Sequence, residues 1–535
     1  MLKTTYMSNP FTIIVLVLFI FSNRLSSQNI AGTLDLTFQS NGKAIYDKDQ
    51  FDVYQDVKVQ PDGKIVAVGS SMGLDYIPYI MVTRYLENGN FDTAFGVEGH
   101  YSYSALIEDG AYKCLIRDNG KILIGGYSTN YTNWGALILQ LNPDGTPDPT
   151  FGNFGVSYID LGPGEDMVSA MQLLEDGKVL IAGYSENNEF KKVPVVARLT
   201  ETGSLDTAFG TAGIAQIPVT EIDNEFSALC IQPDGKIVAA GHISNGTSWF
   251  SLLIARFDQD GNLDTAYGSD GIVNMNLNNV DDEFFDMNIT ETGEAILTGF
   301  TVSQTDYYYH LLVMKFDTTG KPVASFGDAG KVIMGNVPYT FGDAMMLQTD
   351  GKILVAGCTG ELLPGNNDWA LWRFNPDGSP DESFGTLGLT TTEFFGNADE
   401  ALGIALYNDK IILAGKTRNA TNYLDFAIAR YTNDTEYHLS VPDKLRVNNF
   451  SISPNPVKRN SSFILELNDD IDRGIRINLI DMKGNTTVLK PIFINMNGTK
   501  QVKVKLPGVI NAGIYNLRIS CKPNLTETCK LVVID

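Results

Sequence analysis

The sequence predicts an all-β protein, with a seven-bladed β-propeller followed by a small immunoglobulin-like β-sandwich. A turn that begins Asp-Gly-Lys and runs into apolar residues, first seen at 62–69, returns at an almost fixed interval. A second turn, of the form Leu-Asp-x-x-Phe-Gly, returns with the same period. No segment shows the apolar period of a helix. A constant repeat built only of strand and turn signals indicates an array of small β-sheets.

The hairpin turns are evenly spaced along residues 30–432, the predicted propeller. Aligned on the glycine position, the copies fall at 63, 120, 177, 235, 293, 351 and 409, where the last copy has Asp409, so the intervals are 57 or 58 residues. Within one period, such as 263–320, turn signals separate four short apolar runs. Asp-Gly between two such runs is a strong hairpin signal, because glycine adopts the positive φ that tight turns require. Each period is therefore predicted to hold four strands.

The repeats must pack against one another, because four short strands do not bury both of their faces alone. Seven such units suit a propeller, in which four-stranded blades surround a central channel. The Leu-Asp-x-x-Phe-Gly marker precedes the first hairpin, near Leu34–Phe38, and does not follow the seventh. The first marker can therefore meet the last blade and close the ring. A linear solenoid is the alternative, but it needs capping repeats that the sequence lacks.

Two segments show the repeat most clearly. Asp425–Tyr431 contains a Phe-Ala-x-Ala-Arg core, and Leu205–Gly210 is a complete Leu-Asp-x-x-Phe-Gly turn. With these features the chain resembles the delta-sixty repeat, a bacterial surface repeat. Copy two departs at Gln140, where the other copies have Arg or Lys, and copy seven lacks the hairpin glycine. That family has no agreed activity, so the resemblance implies an architecture and leaves the chemistry open.

Residues 1–27 have the pattern of a secretory signal peptide. Lys3 supplies the positive start, residues 11–21 are apolar, and small residues at 25–27 offer a cleavage site. An apolar run of this length is too short to cross a bilayer, which needs about 20 residues. We therefore expect an exported protein that does not span the membrane.

The composition changes after the last repeat. Residues 433–449 are predicted to be a polar linker, and seven short strand candidates separated by turns follow within residues 450–535. About 85 residues of this kind suit a two-sheet sandwich. Cys521 and Cys529 flank a polar turn there, and a disulfide between them is left open, because it depends on their Cα separation.

The tail carries several motifs in order, namely Pro454-Asn455-Pro456, Asp481 and Gly484, Gly513 with Tyr515, and Lys530. With them it resembles the C-terminal sorting domain of the type IX secretion system of Bacteroidetes. That resemblance implies that the type IX machinery is a partner, and that the protein reaches the outer-membrane surface or the medium. An ordinary accessory sandwich is the alternative.

The charge distribution argues against nucleic acid as a partner. The chain has a net charge of -24, and residues 440–535 hold 14 basic and 8 acidic side chains. Residues 1–27 hold two basic and no acidic side chains, so 23 of the 39 basic and 55 of the 63 acidic side chains lie in residues 28–439, a net charge of -32. Nucleic-acid affinity rests on Lys and Arg at phosphates, which such a body does not offer.

No catalytic or metal-binding motif is predicted. The four histidines, at positions 100, 242, 310 and 438, do not lie at metal-ligand spacing from each other or from a cysteine. Gly69–Gly73 matches the G-x-S-x-G string, but it follows a hairpin strand and enters a loop, so it is not a hydrolase elbow. Asp258–Asp264 is similar to a calcium loop, yet equivalent turns lose its first carboxylate. No cofactor is expected, and calcium is left open at that turn.

Two sets of charged side chains recur with the repeat. They are Arg84, Arg198, Arg256, Lys315, Arg373 and Arg430, and Asp52, Asp109, Asp166 and Asp282. They either ring the channel with charge or tie neighbouring units together, and repetition in most copies favours the tie.

Aromatic side chains mark the irregular loop before the last strand of each period. The candidate ligand-binding residues are Trp134, Trp249, Tyr308, His310 and Trp369. Flat aromatic rings on loops of a rigid scaffold suit stacking on sugars. The alternative is that these rings pack between units.

The sequence therefore predicts a non-catalytic surface module that binds glycan or protein. A polysaccharide-active lyase or hydrolase with acidic residues in the channel is the alternative. Such enzymes need converging carboxylates or a His/Tyr/Arg set, and none stands out from the repeat.

Overall fold

The computed structural model describes two compact units, within Met1–Thr435 and Glu436–Asp535. The described ranges are 31–39, 41–105, 107–129, 134–244, 249–277, 280–335, 337–361, 366–433, 445–447, 450–453, 457–458, 461–467, 476–480, 486–496, 499–507, 510, 513–521 and 525–534. Within them, every helix or strand is a β-strand, which confirms the all-β prediction. The predicted signal peptide and most of the linker lie outside these ranges.

The strands of the first unit pair in consecutive sets of four. After β1 (Lys43–Tyr46) they are, in set 1, β2 (Phe51–Val59), β3 (Ile65–Met72), β4 (Pro78–Tyr85) and β5 (His100–Tyr103); in set 2, β6 (Glu108–Ile116), β7 (Ile122–Thr129), β8 (Trp134–Leu141) and β9 (Val156–Ile159); in set 3, β10 (Asp166–Leu173), β11 (Val179–Glu186), β12 (Lys192–Leu199) and β13 (Ile214–Gln216); in set 4, β14 (Asn224–Ile231), β15 (Ile237–Ser244), β16 (Phe250–Phe257) and β17 (Ile272–Met275); in set 5, β18 (Asp282–Ile289), β19 (Ala295–Val302), β20 (Tyr309–Phe316) and β21 (Lys331–Met334); in set 6, β22 (Tyr339–Leu347), β23 (Ile353–Glu361), β24 (Asn366–Phe374) and β25 (Leu389–Thr392); and in set 7, β26 (Asp399–Tyr407), β27 (Lys410–Arg418) and β28 (Leu424–Thr432).

The chain start supplies the outer strand of set 7. β1 pairs antiparallel with β28, with Lys43 opposite Ala429. Nearby, Leu34 bridges Tyr431, and the Arg430 guanidinium donates to the Asp35 carboxylate at 3.0 Å. The short strand that opens each sequence period likewise belongs to the preceding set, because it pairs with that set's third strand.

A β-bulge interrupts the first strand of every set. In set 2 the register shifts between Ala111 and Lys113, so Tyr112 is the inserted residue. The second strand faces each bulge with a glycine, and a Cβ there would overlap the carbonyl oxygen of the first strand. These glycines are Gly69, Gly126, Gly183, Gly241, Gly299, Gly357 and Gly415. Only glycine lets the two strands approach this closely, so it is needed for the bulge.

Apolar clusters fill the spaces between neighbouring sets. One of them joins Phe226 and Phe257 of set 4 to Val196 of set 3 and to Phe209 of the turn that follows β12. The aromatic residue of each marker turn is at most 1% exposed; these residues are Phe38, Phe95, Phe151, Phe209, Tyr267, Phe326 and Phe384. Each set is therefore stabilised mainly by burial against its neighbours.

The recurring arginines tie neighbouring sets together. The Arg256 side chain donates from Nε and Nη2 to the Asp264 carboxylate at 2.9 and 2.8 Å. Its Nη1 donates to the Thr318 carbonyl, at the turn of the next set, at 2.5 Å. The guanidinium carbon lies 4.5 Å from the ring centroid of Tyr267. Arg84, Arg198, Arg373 and Arg430 make equivalent contacts. These contacts agree with the structural interpretation of the recurring charges.

Set 2 keeps this tie although Gln140 replaces the arginine. Sets 1 and 4 have Gln60 and Gln232 beside their arginines, and set 2 has Arg117 at the equivalent position. Arg117 donates to Gln140 Oε1 at 2.7 Å and to the Gly177 carbonyl at 2.6 Å. Gln140 donates in turn to Asp148 at 2.6 Å. Arginine and glutamine have exchanged places, and the guanidinium still joins set 2 to set 3.

The Glu436–Asp535 unit has two five-stranded sheets. They are β29-β30-β32-β36-β35 and β31-β38-β37-β33-β34, with β29 (Leu445–Val447), β30 (Phe450–Ser453), β31 (Val457–Lys458), β32 (Ser462–Leu467), β33 (Arg476–Ile480), β34 (Thr486–Leu489), β35 (Pro491–Met496), β36 (Thr499–Lys505), β37 (Gly513–Cys521) and β38 (Leu525–Ile534). A single buried cluster, which includes Phe463, Val502 and Leu517, draws on both sheets.

The register of β37 and β38 separates the two cysteines of this unit. Cys521 lies opposite Leu525, and Cys529 lies opposite Leu517. Four residues along a strand span about 13 Å, whereas a disulfide needs Cα atoms within about 7 Å. This register therefore places the two Cα atoms too far apart for the disulfide that the sequence left open. Of the sorting-motif residues, Gly513, Tyr515 and Lys530 lie in these two strands. The others, Pro454, Asn455, Pro456, Asp481 and Gly484, lie outside the described residues.

Among the described residues, we find no helix that is long and apolar enough to cross a bilayer.

The exchange of Arg117 and Gln140 in set 2 can be tested with a double-mutant cycle. Arg117→Gln and Gln140→Arg should each lower the free energy of unfolding by about 1.5–3 kcal/mol, because each disturbs buried hydrogen bonds to a charged group. The double variant restores the arrangement of sets 1 and 4, so it should recover more than half of the summed loss. Urea denaturation of the four proteins measures this. Additive losses in the double variant would contradict the exchange.

Candidate functional site

The bulges direct seven residues of six different types at one cavity. These inserted residues are Gln55, Tyr112, Ser169, Ser227, Phe285, Asp343 and Leu402. All of them line a cavity of about 340 Å³, which we call the mouth. Because every set contributes one bulged residue, the mouth lies at the common centre of the sets. Unlike the arginine ties, this position differs in chemistry from set to set.

Glutamates flank the bulge in three of the sets. Glu225, Glu283 and Glu400 each lie two residues before an inserted residue, and Glu225 and Glu283 also line the mouth. Directly opposite on the second strands are His242 for Glu225 and Lys416 for Glu400. Carboxyl groups thus gather at sets 4 to 7, on one side of the mouth.

One group of contacts links sets 3, 4 and 5. The Ser169 hydroxyl donates to the Glu225 carboxylate. Nδ1 of His242 lies 2.8 Å from Oε1 of Glu283. Burial raises the pKa of Glu225. Burial disfavours the charged form of His242, but its contact with Glu283 leaves the pKa of the imidazole above its ordinary value.

A second group joins sets 6 and 7. Nζ of Lys416 lies 2.5 Å from Oε2 of Glu400. Oδ2 of Asp343 is buried and has no hydrogen-bond partner among the described residues. Burial, and then the Glu400 charge, raise the pKa of Asp343 well above its usual range. One ligand atom each from Asp343, Cys358 and Glu400 lie within 4.8 Å of one another. The Lys416 ammonium already neutralises Glu400, and burial raises the pKa of the Cys358 thiol, so we do not assign a metal here.

A smaller cavity of about 190 Å³ lies further along the first strands and shares Lys113 and Ser227 with the mouth. Its carboxylates are used structurally. Asp56 pairs with Lys58 at 2.7 Å and accepts the Cys114 backbone N–H at 2.9 Å. Asp286 accepts the Met345 N–H of the next set at 2.8 Å. We therefore place the candidate site at the mouth.

The aromatic residues predicted to bind a ligand are not brought together. Trp249 is 39% exposed ahead of β16, and Tyr308 and His310 lie at the start of β20, in another set. Nδ1 of His310 lies 3.0 Å from the Gly335 carbonyl oxygen. Trp134 begins β8, and its side chain lies outside the described residues.

The buried position of Trp369 differs from its predicted role in ligand binding. It is fully buried, and its indole N–H donates to the Lys416 carbonyl at 3.0 Å. Its ring packs among residues of sets 6 and 7, so it has no face left for a ligand.

The recurring aspartates and the calcium-like turn are used in local hydrogen bonds. Asp52 accepts the Lys48 N–H at 2.7 Å and the Ser71 hydroxyl at 2.6 Å, which fixes the loop before β2. Asp258 accepts the backbone N–H of Asp260 and of Asn262, each at 2.9 Å.

A family model described as a domain of unknown function (DUF5122) beta-propeller matches residues 60–95, 118–151, 174–209, 232–267 and 348–384. The chain is a β-propeller repeat protein. The prediction of propeller repeats is therefore confirmed. A comparison with curated proteins finds no match.

Solved structures that align with the chain include carbohydrate-active enzymes. An ulvan lyase of polysaccharide lyase family PL25 aligns with a TM-score of 0.41 and 12% identity, over 74% of this chain and 96% of its own. The polysaccharide lyase Uly1 aligns with a TM-score of 0.40 and 11% identity, over 76% and 98%. An α-L-arabinofuranosidase from Fusarium graminearum aligns with a TM-score of 0.36 and 9% identity, over 74% and 98%.

The raised pKa of Asp343 predicts a pH-dependent gain from Asp343→Asn. Unfolding lets this carboxyl ionise at its ordinary pKa of about 3.9, so the wild type loses stability as the pH rises above that value towards the folded pKa. Asn does not titrate, so the variant should have the higher melting temperature at pH 7, and the difference should vanish near pH 4. Thermal melts across this range measure it, with the exposed Glu291→Gln as the control. A difference of equal size at pH 4 and pH 7 would contradict the assignment.

Proposed function

We propose that the protein is an exported, seven-bladed β-propeller that binds a carbohydrate at the mouth of its central channel without converting it. The observation that carries this proposal is the β-bulge in every set. The bulges direct side chains of different chemistry at one cavity. Binding sites in repeat proteins need such asymmetry, because a ligand smaller than the ring contacts the units unequally. The mouth volume of about 340 Å³ lies within the range of small-molecule sites.

The blade count rests on the strand pairing. Each of sets 1 to 7 is one blade, and β1 completes the last blade by pairing with β28. Closure of this kind protects the strand edges that an open stack would expose.

The side chains at the mouth suit a polyhydroxylated ligand. Tyr112 and Phe285 offer aromatic faces for the apolar face of a sugar ring. Gln55, Ser169 and Ser227 offer hydrogen-bonding groups around them. Together these groups give the mix of aromatic faces and a few polar groups that is typical of small-ligand sites.

A second candidate is acid–base hydrolysis of a glycosidic bond. Oxygen atoms of Asp343 and Glu400 lie within 4.8 Å of one another, and retaining glycosidases hold two carboxyl groups about 5–5.5 Å apart. Burial raises the pKa of Asp343, while Glu400 is ion-paired with Lys416. A protonated acid beside an ionised carboxylate is the division of roles that this reaction needs.

The chain ends support export in this proposal. The signal pattern of residues 1–27 leads the chain across the inner membrane, and the sorting motifs of residues 450–535 lead it through the type IX machinery to the cell surface or the medium. Of those motif residues, Gly513, Tyr515 and Lys530 lie in the paired strands β37 and β38.

Binding at the mouth is tested with an oligosaccharide panel and two variants of set 4. Ser227→Phe puts into the mouth the residue that set 5 already has at the equivalent position, so the variant is expected to fold. It should weaken glycan binding at least tenfold by filling the cavity. Trp249→Ala, in the loop of the same set, should leave binding unchanged. The reverse pattern would place recognition in the loops.

The same panel separates binding from turnover. We expect unchanged oligosaccharides after prolonged incubation with the wild-type protein, as judged by mass spectrometry. Cleavage products that disappear in Glu400→Gln would overturn the non-catalytic proposal in favour of the second candidate.

Export is tested by deleting residues 450–535 in the native host. The truncated protein should accumulate in the periplasm, whereas the full chain reaches the surface or the medium. Normal secretion of the truncated chain would rule out the sorting role.

A further inference from the structure

We infer that the carbohydrate bound at the mouth carries a free ammonium group, as an amino sugar does; this inference rests on the proposed function. It follows from the charges, contacts and rings on the side of the mouth that sets 4 to 7 form.

Carboxyl groups outnumber cations at the mouth. Glu225, Glu283 and Asp343 line it, and Lys113 is the cation that lines it with them. Glu400 and Lys416 lie just behind and neutralise each other at 2.5 Å. The surrounding unit is itself strongly acidic, with a net charge of -32 over residues 28–439. The net charge of this unit attracts a cation and repels a uronate or a sulfated sugar.

The partners of these carboxyl groups single out Asp343. Glu225 accepts from Ser169, and Glu283 lies against His242 at 2.8 Å. Asp343 lines the mouth, yet its Oδ2 is buried and has no hydrogen-bond partner among the described residues. A carboxyl group left without a donor is costly in a folded protein. A ligand ammonium carries three N–H donors and a positive charge, so it supplies what this carboxyl group lacks.

Aromatic rings of sets 5 and 6 pack together, and one of them lines the mouth. Phe285 lines the mouth, and its ring lies 5.6 Å from that of Phe300. The ring centroids of Phe300 and Phe341 are 5.2 Å apart, and those of Phe341 and Tyr339 are 4.4 Å apart. Ring faces attract cations, and apolar surroundings strengthen the attraction between an ammonium and a carboxylate. A neutral hydroxyl group would gain much less from the same surroundings.

This arrangement favours an ammonium over a metal ion. Asp343, Cys358 and Glu400 come within 4.8 Å of one another, but the Lys416 ammonium already contacts Glu400. A divalent ion there would have to displace a buried ammonium, whereas a ligand ammonium in the mouth leaves that pair intact.

Calorimetric titrations with three tetrasaccharides test the inference. They are a glucosamine tetramer, its fully N-acetylated form, and a neutral glucose tetramer, all measured on the full chain at 0.15 M salt and a pH at which the free amines are protonated. We expect the glucosamine tetramer to bind at least tenfold more tightly than the other two. In Asp343→Asn this preference should fall below threefold, because Asn keeps the shape of the side chain but cannot ionise to pair with the ligand ammonium.

Two further proteins separate the mouth from general attraction to an acidic surface. Ser227→Phe keeps every charge and fills the mouth, so it should abolish the preference for the glucosamine tetramer. Glu291→Gln removes an exposed charge in the turn between β18 and β19, which does not line the mouth. This variant should keep the preference for the glucosamine tetramer. Retention of tight binding by Ser227→Phe would overturn the inference. Equal binding of all three tetrasaccharides by the wild type would overturn it while leaving carbohydrate binding intact, and no binding of any of them would reject the proposed function as well.

Discussion

The close approach of a glycine to the carbonyl of the neighbouring strand is the constraint on which the mouth depends. In each set the second strand has glycine where any Cβ would overlap the first strand, as Gly126 does at Gly110. The bulge that follows inserts one residue, Tyr112 in that set, and directs it at the common centre. Without the glycine the strands would separate and the register would change. The inserted residue would then move to the other face, because side chains alternate along a strand.

The same type of contact recurs between sets, although the residue that makes it is not always at the same position. Where Gln140 interrupts the arginine series, Arg117 supplies the guanidinium from the other strand. Set 5 uses Lys315 paired with Glu294 at 2.8 Å. The guanidinium groups are held where one set meets the next, whereas the Lys315 pair lies within set 5. None of the residues in these ties lines the mouth, so this requirement places no demand on the inserted residues.

The sequence predicted the repeats well and the site poorly, for physical reasons. Turn glycines such as Gly63 have positive φ, 84° in this case, and their chemistry is visible in the sequence because few residues adopt that conformation. The buried marker aromatics, such as Phe209, are equally visible. The direction of Asp343 is not, since it depends on a one-residue bulge that no composition signal marks. A comparison of the seven copies at that position would have shown its unusual variation, although not that it faces a cavity. Trp369 was misjudged because a loop-edge tryptophan and a packed one look alike in sequence.

The inserted residues and the residues that pack between sets occupy separate positions, so the chemistry of the mouth varies without a change in the packing of the sets. Marker aromatics and tie arginines pack between sets, so changes there cost stability. The inserted residues contact the cavity, so Gln, Tyr, Ser, Phe, Asp and Leu are all accommodated at one backbone position. Only Asp343 carries an evident cost, because burial disfavours its charged form. A costly carboxyl group at a position that tolerates serine or leucine is more readily explained by recognition than by folding.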